Sequence, residues 1–200
     1  MKSSISLENH FNASNATALL VEENVQTLEQ VATLLQCTSD VVYQQRLGNQ
    51  QTQSLGKHVR HILEHYQTLL EALAGSDQQK AFDYEQRQRE AALENDPNHA
   101  LTRVRALQTR LKTYTSVPHD TLLTLHYPVE EIPASSRLPA ATSLPITSSL
   151  GRELAFLTSH SIHHMALLCL FCEQLNIVLP SNIGVHPSTL RFWEKQRTAS

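Results

Sequence analysis

Apolar residues recur at intervals of three and four along four segments of this chain, a spacing typical of one face of an amphipathic helix. Two of the segments are bounded by residues that favour helix ends: Asp96-Pro97 suits an N-cap and first helical residue, and Gly75 suits a C-cap. Ser148 or Ser149 suits the N-cap of the last helix. The pattern predicts helices near residues 18–36, 51–74, 97–115 and 149–176.

The chain changes character between the third and fourth predicted helices. Prolines recur there, and each removes a backbone donor and clashes with the preceding turn, so a helix through residues 118–147 is excluded. The interrupting residues are Pro118, Pro128, Pro133, Pro139 and Pro145. The β-forming run Thr121–Tyr127 predicts a strand, and Ser143–Ile146 is its candidate partner. A small hairpin or an extended excursion is therefore expected before the last helix.

Four amphipathic helices of this length predict an all-α fold, a four-helix bundle with that non-helical excursion before its last helix. The chain has 200 residues, which suits one domain. Residues 1–17 are polar and rich in Ser and Asn, which predicts a flexible N-terminal arm. Residues 18–195 are expected to form the single helical domain, with a last turn at Ser188–Trp193.

Composition and charge limit the cellular locations and the classes of binding partner that are expected. The formal net charge is −3 and no basic block occurs, which argues against a nucleic-acid partner. No apolar run is long enough to suggest a membrane span, and the first residues lack a signal-peptide pattern. Three cysteines do not suggest a disulfide framework, and Cys169 and Cys172 are expected to be buried thiols in a reducing compartment. A cytoplasmic location is expected.

Two histidine clusters carry the chemical signal, one on the second predicted helix and one on the fourth. At about 100° per residue, His160 and His164 lie about 40° apart on one helix face. His58, His61 and His65 fall within an arc of about 60° on the other helix. Neutral imidazole is a good ligand for Zn²⁺, Ni²⁺ or Fe²⁺, and the i, i+4 spacing lets one helix offer two imidazoles to one ion.

An i, i+4 histidine pair on a surface helix also arises by chance. Whether this pair binds a metal therefore depends on the residues that surround it. His160 and His164 lie in the most apolar predicted helix, where buried imidazoles need partners, and a second histidine cluster can supply them. Three histidine ligands would leave a fourth position open, as in catalytic zinc sites. A serine hydrolase built on Ser159 and His163 is disfavoured because no nucleophile elbow is present.

The order and separation of these clusters resemble the DinB/YfiT-like superfamily of metalloenzymes, and most closely its bacterial DinB family members. The resemblance spans about residues 20–195 and rests on several short segments. They are Val59-Arg60-His61-Ile62-Leu63, Phe82-Asp83-Tyr84-Glu85-Gln86-Arg87-Gln88-Arg89, Arg152-Glu153-Leu154-Ala155-Phe156-Leu157, His160-Ser161-Ile162-His163-His164 and Pro187-Ser188-Thr189-Leu190-Arg191.

The resemblance implies a four-helix bundle with a three-histidine metal site, often in a homodimer, and relatives that include thiol-dependent S-transferases. It assigns His61, His160 and His164 as ligands of a divalent metal, Zn²⁺ or Ni²⁺. The first cluster has three histidines, so His58 and His65 remain alternatives to His61. Glu153, seven residues before His160, is expected to orient a ligand histidine or to act as a catalytic base.

The sequence thus supports a metal-dependent enzyme of unknown substrate, with a low-molecular-weight thiol as a candidate cofactor. Transferase chemistry is favoured over hydrolysis on the resemblance alone. The alternative is a helical protein whose site only binds metal, without catalysis. Metal-dependent turnover would separate the two.

Overall fold

The computed structural model describes residues 13–75, 80–131 and 140–198. Over these ranges the chain is mainly helical and carries one small sheet. The helices are α1 (Ala13–Gln36), α2 (Asp40–Gln44), α3 (Leu55–Ala74), α4 (Ala91–Asn95), α5 (Pro97–Lys112), α6 (Leu150–Gln174) and α7 (Pro187–Thr198). The strands are β1 (Ala81–Phe82), β2 (Leu122–Glu131) and β3 (Ala140–Ser149).

The four long helices α1, α3, α5 and α6 coincide with the four predicted ones, and their first residues follow from capping. Ser54 accepts a hydrogen bond from the Lys57 amide, so α3 begins at Leu55 rather than at residue 51. Asp96 caps α5 ahead of Pro97, and Ser149 caps α6. Each cap satisfies backbone donors that a helix start leaves unpaired.

Helix α3 lies at the centre of the packing. It contacts α4, α5 and α6, while α1 packs against α5 and α6. Its apolar face is fully buried and consists of Leu55, Val59, Ile62, Leu63, Tyr66, Leu69 and Leu70. Each such side chain contributes about 1.5–3 kcal/mol through burial. The Tyr66 hydroxyl donates to Asn24, which in turn donates to the Leu154 carbonyl, so a buried polar chain joins α3, α1 and α6.

The prediction of an all-α fold is too narrow, because the excursion before α6 forms a sheet. Strands β2 and β3 form an antiparallel hairpin with Leu125 opposite Ile146, and β1 pairs in parallel with β2. Strand β2 contains all but the first residue of the predicted strand 121–127, and β3 contains the predicted partner 143–146. Antiparallel pairing supplies the backbone hydrogen bonds that the prolines deny to a helix, and Pro145 lies on the edge strand β3, where proline is tolerated.

Several boundaries differ from the sequence expectation. Residues 13–17 belong to α1, so the predicted arm of residues 1–17 is shorter, and its residues 1–12 lie outside the described ranges. The short helices α2 and α4 were not predicted. They form because Tyr43 of α2 is buried and donates its hydroxyl to the Leu93 carbonyl of α4, a contact made only by tertiary packing. The predicted last turn is part of the longer α7.

Helix α6 is the one helix within the described ranges that is long and apolar enough to cross a membrane. It packs against α1 and α3 and carries the fully buried Glu153 together with half-buried histidines. Packing inside the bundle accounts for the apolar composition of α6, so its length and composition are only weak evidence for a membrane-spanning helix.

Gly56 should be irreplaceable in α3. A Cβ atom there would lie 2.0 Å from the Glu94 carbonyl oxygen and 2.9 Å from Cε1 of Tyr43. Gly56→Ala should therefore lower the free energy of unfolding by about 1–3 kcal/mol or more, although alanine is the better helix former. Chemical denaturation measures this, with Glu71→Ala on the exposed face of α3 as the control. Equal stability of Gly56→Ala and wild type would show that α3 and α4 do not approach this closely.

Candidate metal centre

Helices α3 and α6 bring the two histidine clusters together. The ring centroid of His61 lies 5.0 Å from that of His160 and 4.5 Å from that of His164. The Nε2 atoms of His61 and His160 are 3.0 Å apart. One nitrogen from each of these three rings lies within 4.8 Å of the other two. The three histidines that the family resemblance assigns as ligands therefore lie together in the structure.

The two alternative histidines flank this triad. His65 donates from Nδ1 to the His61 carbonyl oxygen at 2.7 Å, and its ring stacks on Tyr84. The Nδ1 atoms of His58 and His164 are 3.1 Å apart, so His58 lies behind His164. Both contacts hold a ring that borders the triad, which is the arrangement expected of residues that orient metal ligands.

The cluster favours neutral imidazoles. Burial lowers the pKa of His61 to about 2, with smaller contributions from His65 and Arg87. Burial is also the main cause that lowers the pKa of His160 and of His164 to about 4, and the neighbouring histidines add to it. At neutral pH the three rings are therefore uncharged and offer the nitrogen lone pairs that a metal ion needs.

Arg87 fixes the proton of His61. Its guanidinium contacts Nδ1 of His61 and can only donate, so Nδ1 is the acceptor. A neutral His61 then carries its proton on Nε2, which points at Nε2 of His160. The Arg87 guanidinium also lies 3.7 Å from the buried carboxylate of Glu64. Glu64 offers Arg87 another partner if His61 changes tautomer.

Glu153 is fully buried in the first turn of α6, and both its oxygens are engaged. Oε2 accepts from the Tyr84 hydroxyl at 2.8 Å, and Oε1 accepts from the Ser148 hydroxyl and from Arg152. Because Tyr84 stacks on His65, this carboxylate supports the histidine cluster through one intervening ring. These partners do not include His61, His160 or His164, so the expected roles of Glu153 in orienting a ligand histidine or as a catalytic base stay predictions.

Two cavities adjoin the histidines. The larger, here the sheet cavity, has a volume of about 900 Å³ and lies between the β2–β3 hairpin and the rings of His61, His65 and His160. The smaller, here the basic cavity, has a volume of about 440 Å³ and lies on the His58 and His164 side. Arg87, Arg89 and His61 line both cavities, so the cluster is reached from two directions.

The sequence did not identify Tyr84 and Arg87 as site residues. Both lie in the irregular segment between β1 and α4, where no periodicity reports which side chains turn inward. In the sequence, the stretch Phe82–Arg89 stands out only by its resemblance to the DinB family. Burial raises the pKa of the Tyr84 phenol, and the nearby Glu153 carboxylate raises it further, so Tyr84 remains a hydroxyl donor at neutral pH.

The other described histidines are not part of the triad, although the ring centroid of His163 lies 5.4 Å from that of His164. His163 and Ser159 are exposed, which gives a serine hydrolase arrangement no support. His99 is more than a solvated residue, since its Nε2 lies 2.7 Å from the Glu90 carboxylate. His10 lies outside the described residues.

Part of the chain is similar to FK506-binding protein 5 of Rhizopus delemar, with 33% identity over 116 residues. The matched segment makes up 57% of this chain and only 28% of that relative. FK506 binding, which the relative's name states, therefore cannot be assigned to the shared segment. No protein-family profile matches the chain, and no solved structure matches it significantly.

Replacing Glu153 should destabilise the protein, because the carboxylate joins Tyr84, Ser148 and Arg152. Glu153→Gln removes the charge and turns an amide donor toward groups that themselves donate, so the free energy of unfolding should fall by about 1–3 kcal/mol. Chemical denaturation measures the change against Glu173→Gln, an exposed position on the same helix. Equal effects of the two substitutions would mean that the Tyr84, Ser148 and Arg152 contacts contribute nothing to stability.

Proposed function

We propose that this protein is a metal-dependent enzyme that binds a divalent ion, Zn²⁺ or Ni²⁺, through His61, His160 and His164. The observation that carries the proposal is the convergence of three uncharged imidazole nitrogens within 4.8 Å of one another on two packed helices. In this proposal the fold is a DinB-like four-helix bundle of α1, α3, α5 and α6, to which the hairpin is an addition.

The donor set fits such an ion. Three imidazoles suit Zn²⁺ and Ni²⁺ better than hard cations, which prefer oxygen ligands. Bonds of about 2.0–2.1 Å at tetrahedral angles place two ligand nitrogens roughly 3.3 Å apart. The Nε2 atoms of His61 and His160 are 3.0 Å apart, close to this spacing, and a nitrogen of His164 lies within 4.8 Å of a nitrogen of each. Coordination through Nε2 of His61 also requires the proton on Nδ1, and Arg87 must then leave His61 for Glu64.

The metal would supply Lewis acidity, which activates a thiol or water for attack or polarises a substrate oxygen. The chain's own residues position what reacts. Tyr84, held by Glu153, keeps the ring of His65 against the cluster, and Phe156 stacks on His160 with centroids 5.3 Å apart. His58 contacts Nδ1 of His164 and restrains that ring. These contacts hold the three nitrogens in place before any ligand arrives.

The sheet cavity favours an enzyme over an inert site. A metal site that only stabilises the fold needs no access, whereas this cavity opens on His61 and His160 and is large enough for a small-molecule substrate. Thiol-dependent transfer is the proposed reaction class, carried over from the resemblance to DinB-like proteins, and metal-dependent hydrolysis is the alternative. A homodimer is proposed on the same resemblance, whereas a cytoplasmic location without a nucleic-acid or membrane partner is proposed from the charge, hydropathy and cysteine content of the sequence.

Metal titration tests the site directly. His160→Ala and His164→Ala should each weaken Zn²⁺ affinity more than about 100-fold, because loss of a ligand exceeds the 10–100-fold cost of losing a residue that supports one. His163→Ala is the matched control, since His163 is exposed beside His164. Calorimetry and metal analysis of the purified variants provide the affinities, and turnover of thiols with electrophilic substrates should stop when a chelator removes the metal.

Comparison of His61→Ala with His65→Ala and His58→Ala identifies the third ligand. Only His61→Ala should match the loss seen for His160→Ala. A larger loss in His65→Ala would assign the ligand to His65 and leave the site itself intact. If no single histidine substitution changes Zn²⁺ affinity, the proposed metal site is wrong.

A further inference from the structure

The basic cavity carries an excess of positive charge that the metal site does not explain. Four cationic side chains line it, namely Lys57, Arg60, Arg87 and Arg89, and Glu64 is the one carboxylate among its lining residues. Arg60 is also paired with Glu94 at 2.7 Å. Counting both carboxylates, an excess of two positive charges remains beside His61 and His164. A cavity of one sign concentrates ligands of the opposite charge.

The wall of this cavity contains several buried polar atoms without hydrogen-bond partners. Among the described residues, seven buried side-chain nitrogen and oxygen atoms lack a hydrogen-bond partner, and four belong to residues that line this cavity. They are Nε of Arg60 and Nε of Arg87, which are donors, Oε2 of Glu64, which is an acceptor, and Nε2 of His58, whose role depends on the tautomer. Buried polar atoms are normally paired, so the two unpaired guanidinium donors suit an acceptor from outside the chain.

Arg89 is held at the cavity by an unusual backbone. Its φ is +51°, in the left-handed region that non-glycine residues seldom adopt. Within the described ranges its guanidinium makes no hydrogen bond or ion pair, although it lines both cavities. Strained residues of this kind concentrate at ligand sites, where the geometry is kept for binding rather than for packing. A free guanidinium at that place can form a two-pronged contact with an oxyanion.

The first turn of α3 adds to the attraction. Lys57 belongs to this turn and its ammonium donates to the Thr52 carbonyl, which leaves further donors for a ligand. The 20-residue helix directs the positive end of its dipole to the same place, which favours an anion there.

We propose that the basic cavity binds an oxyanion, a carboxylate or phosphate carried by one of the reactants, with Arg89 and Lys57 as its main contacts. The oxyanion site is independent of the proposed function, but the statement that the bound anion reacts at the metal rests on it. The sheet cavity, with Leu125, Tyr127 and Phe156 on its walls, then accepts the apolar part of the substrate. The reactant class is a small anionic molecule whose reactive end reaches the histidine cluster.

Anion titration of the metal-free protein tests this without relying on activity. Inorganic phosphate and succinate are the two probes, and calorimetry gives their affinities. Arg89→Gln should weaken the preferred probe at least about tenfold, as expected for loss of a charge-assisted hydrogen bond. Lys57→Gln should weaken it as well, and Arg89→Lys should restore part of the affinity. Arg197→Gln, an exposed arginine near the end of α7, is the matched control.

The affinities of the two probes identify the anion. Higher affinity for phosphate indicates a phosphoryl group on the reactant, and higher affinity for succinate indicates a carboxylate. Absence of binding by both probes, or equal affinity in Arg89→Gln and Arg197→Gln, would overturn the inference. Zn²⁺ affinity is measured on the same variants and should not fall. Zn²⁺ binding without anion binding overturns only the oxyanion subsite, whereas anion binding without Zn²⁺ binding overturns only the proposed metal site.

Discussion

The packing of α3 against α6 buries the ring of His65, half-buries those of His58, His61, His160 and His164, and gathers the five imidazoles into one cluster. Burial makes the charged form of each ring costly, so the cluster is stable only with neutral rings that are hydrogen-bonded to each other or bound to an ion. The apolar face of α3 provides the packing energy that offsets this cost. The buried Tyr66–Asn24–Leu154 connection then fixes α1, α3 and α6 relative to one another.

The small sheet places polar side chains beside the histidine cluster. Strand β3 runs directly into α6, so Ser148 reaches the carboxylate of Glu153 one turn into the helix. Tyr84 approaches from the segment after β1 and completes the connection to His65. The hairpin also forms one wall of the sheet cavity, while Arg87 and Arg89 divide it from the basic cavity. One cluster is thus accessible from an apolar side and a cationic side, an arrangement suited to joining two chemically different groups.

The fold was predictable where local signals are strong. The long helices are indicated by the 3.6-residue apolar period and by the Asp96-Pro97 pair, and the hairpin by the prolines of residues 118–147. Each of these signals acts through residues that are neighbours in the sequence. The i, i+4 pair His160 and His164 was visible for the same reason. The choice of His61 among three histidines needed the resemblance, since all three lie within one arc of the helix.

The rest depends on contacts between distant residues. Helices α2 and α4 exist through the Tyr43 contact with Leu93, which no local pattern reports. Arg87 reaches His61 from an irregular segment 26 residues away in sequence. Glu153 was expected on the histidine face of α6 and is found in the first turn of that helix, but its partners are Tyr84, Ser148 and Arg152 rather than a ligand ring. Cationic side chains around the basic cavity come from α3 and from the segment before α4, so their common charge becomes visible only in the folded chain.

The most direct test of the metal site is a crystal structure of the Zn²⁺-loaded protein with anomalous data collected at the zinc edge. We expect one strong anomalous peak about 2.0–2.2 Å from a nitrogen of each of His61, His160 and His164. Arg87 should have moved from Nδ1 of His61 to Glu64. A peak held by other side chains, or none at this cluster, would contradict the proposed metal site.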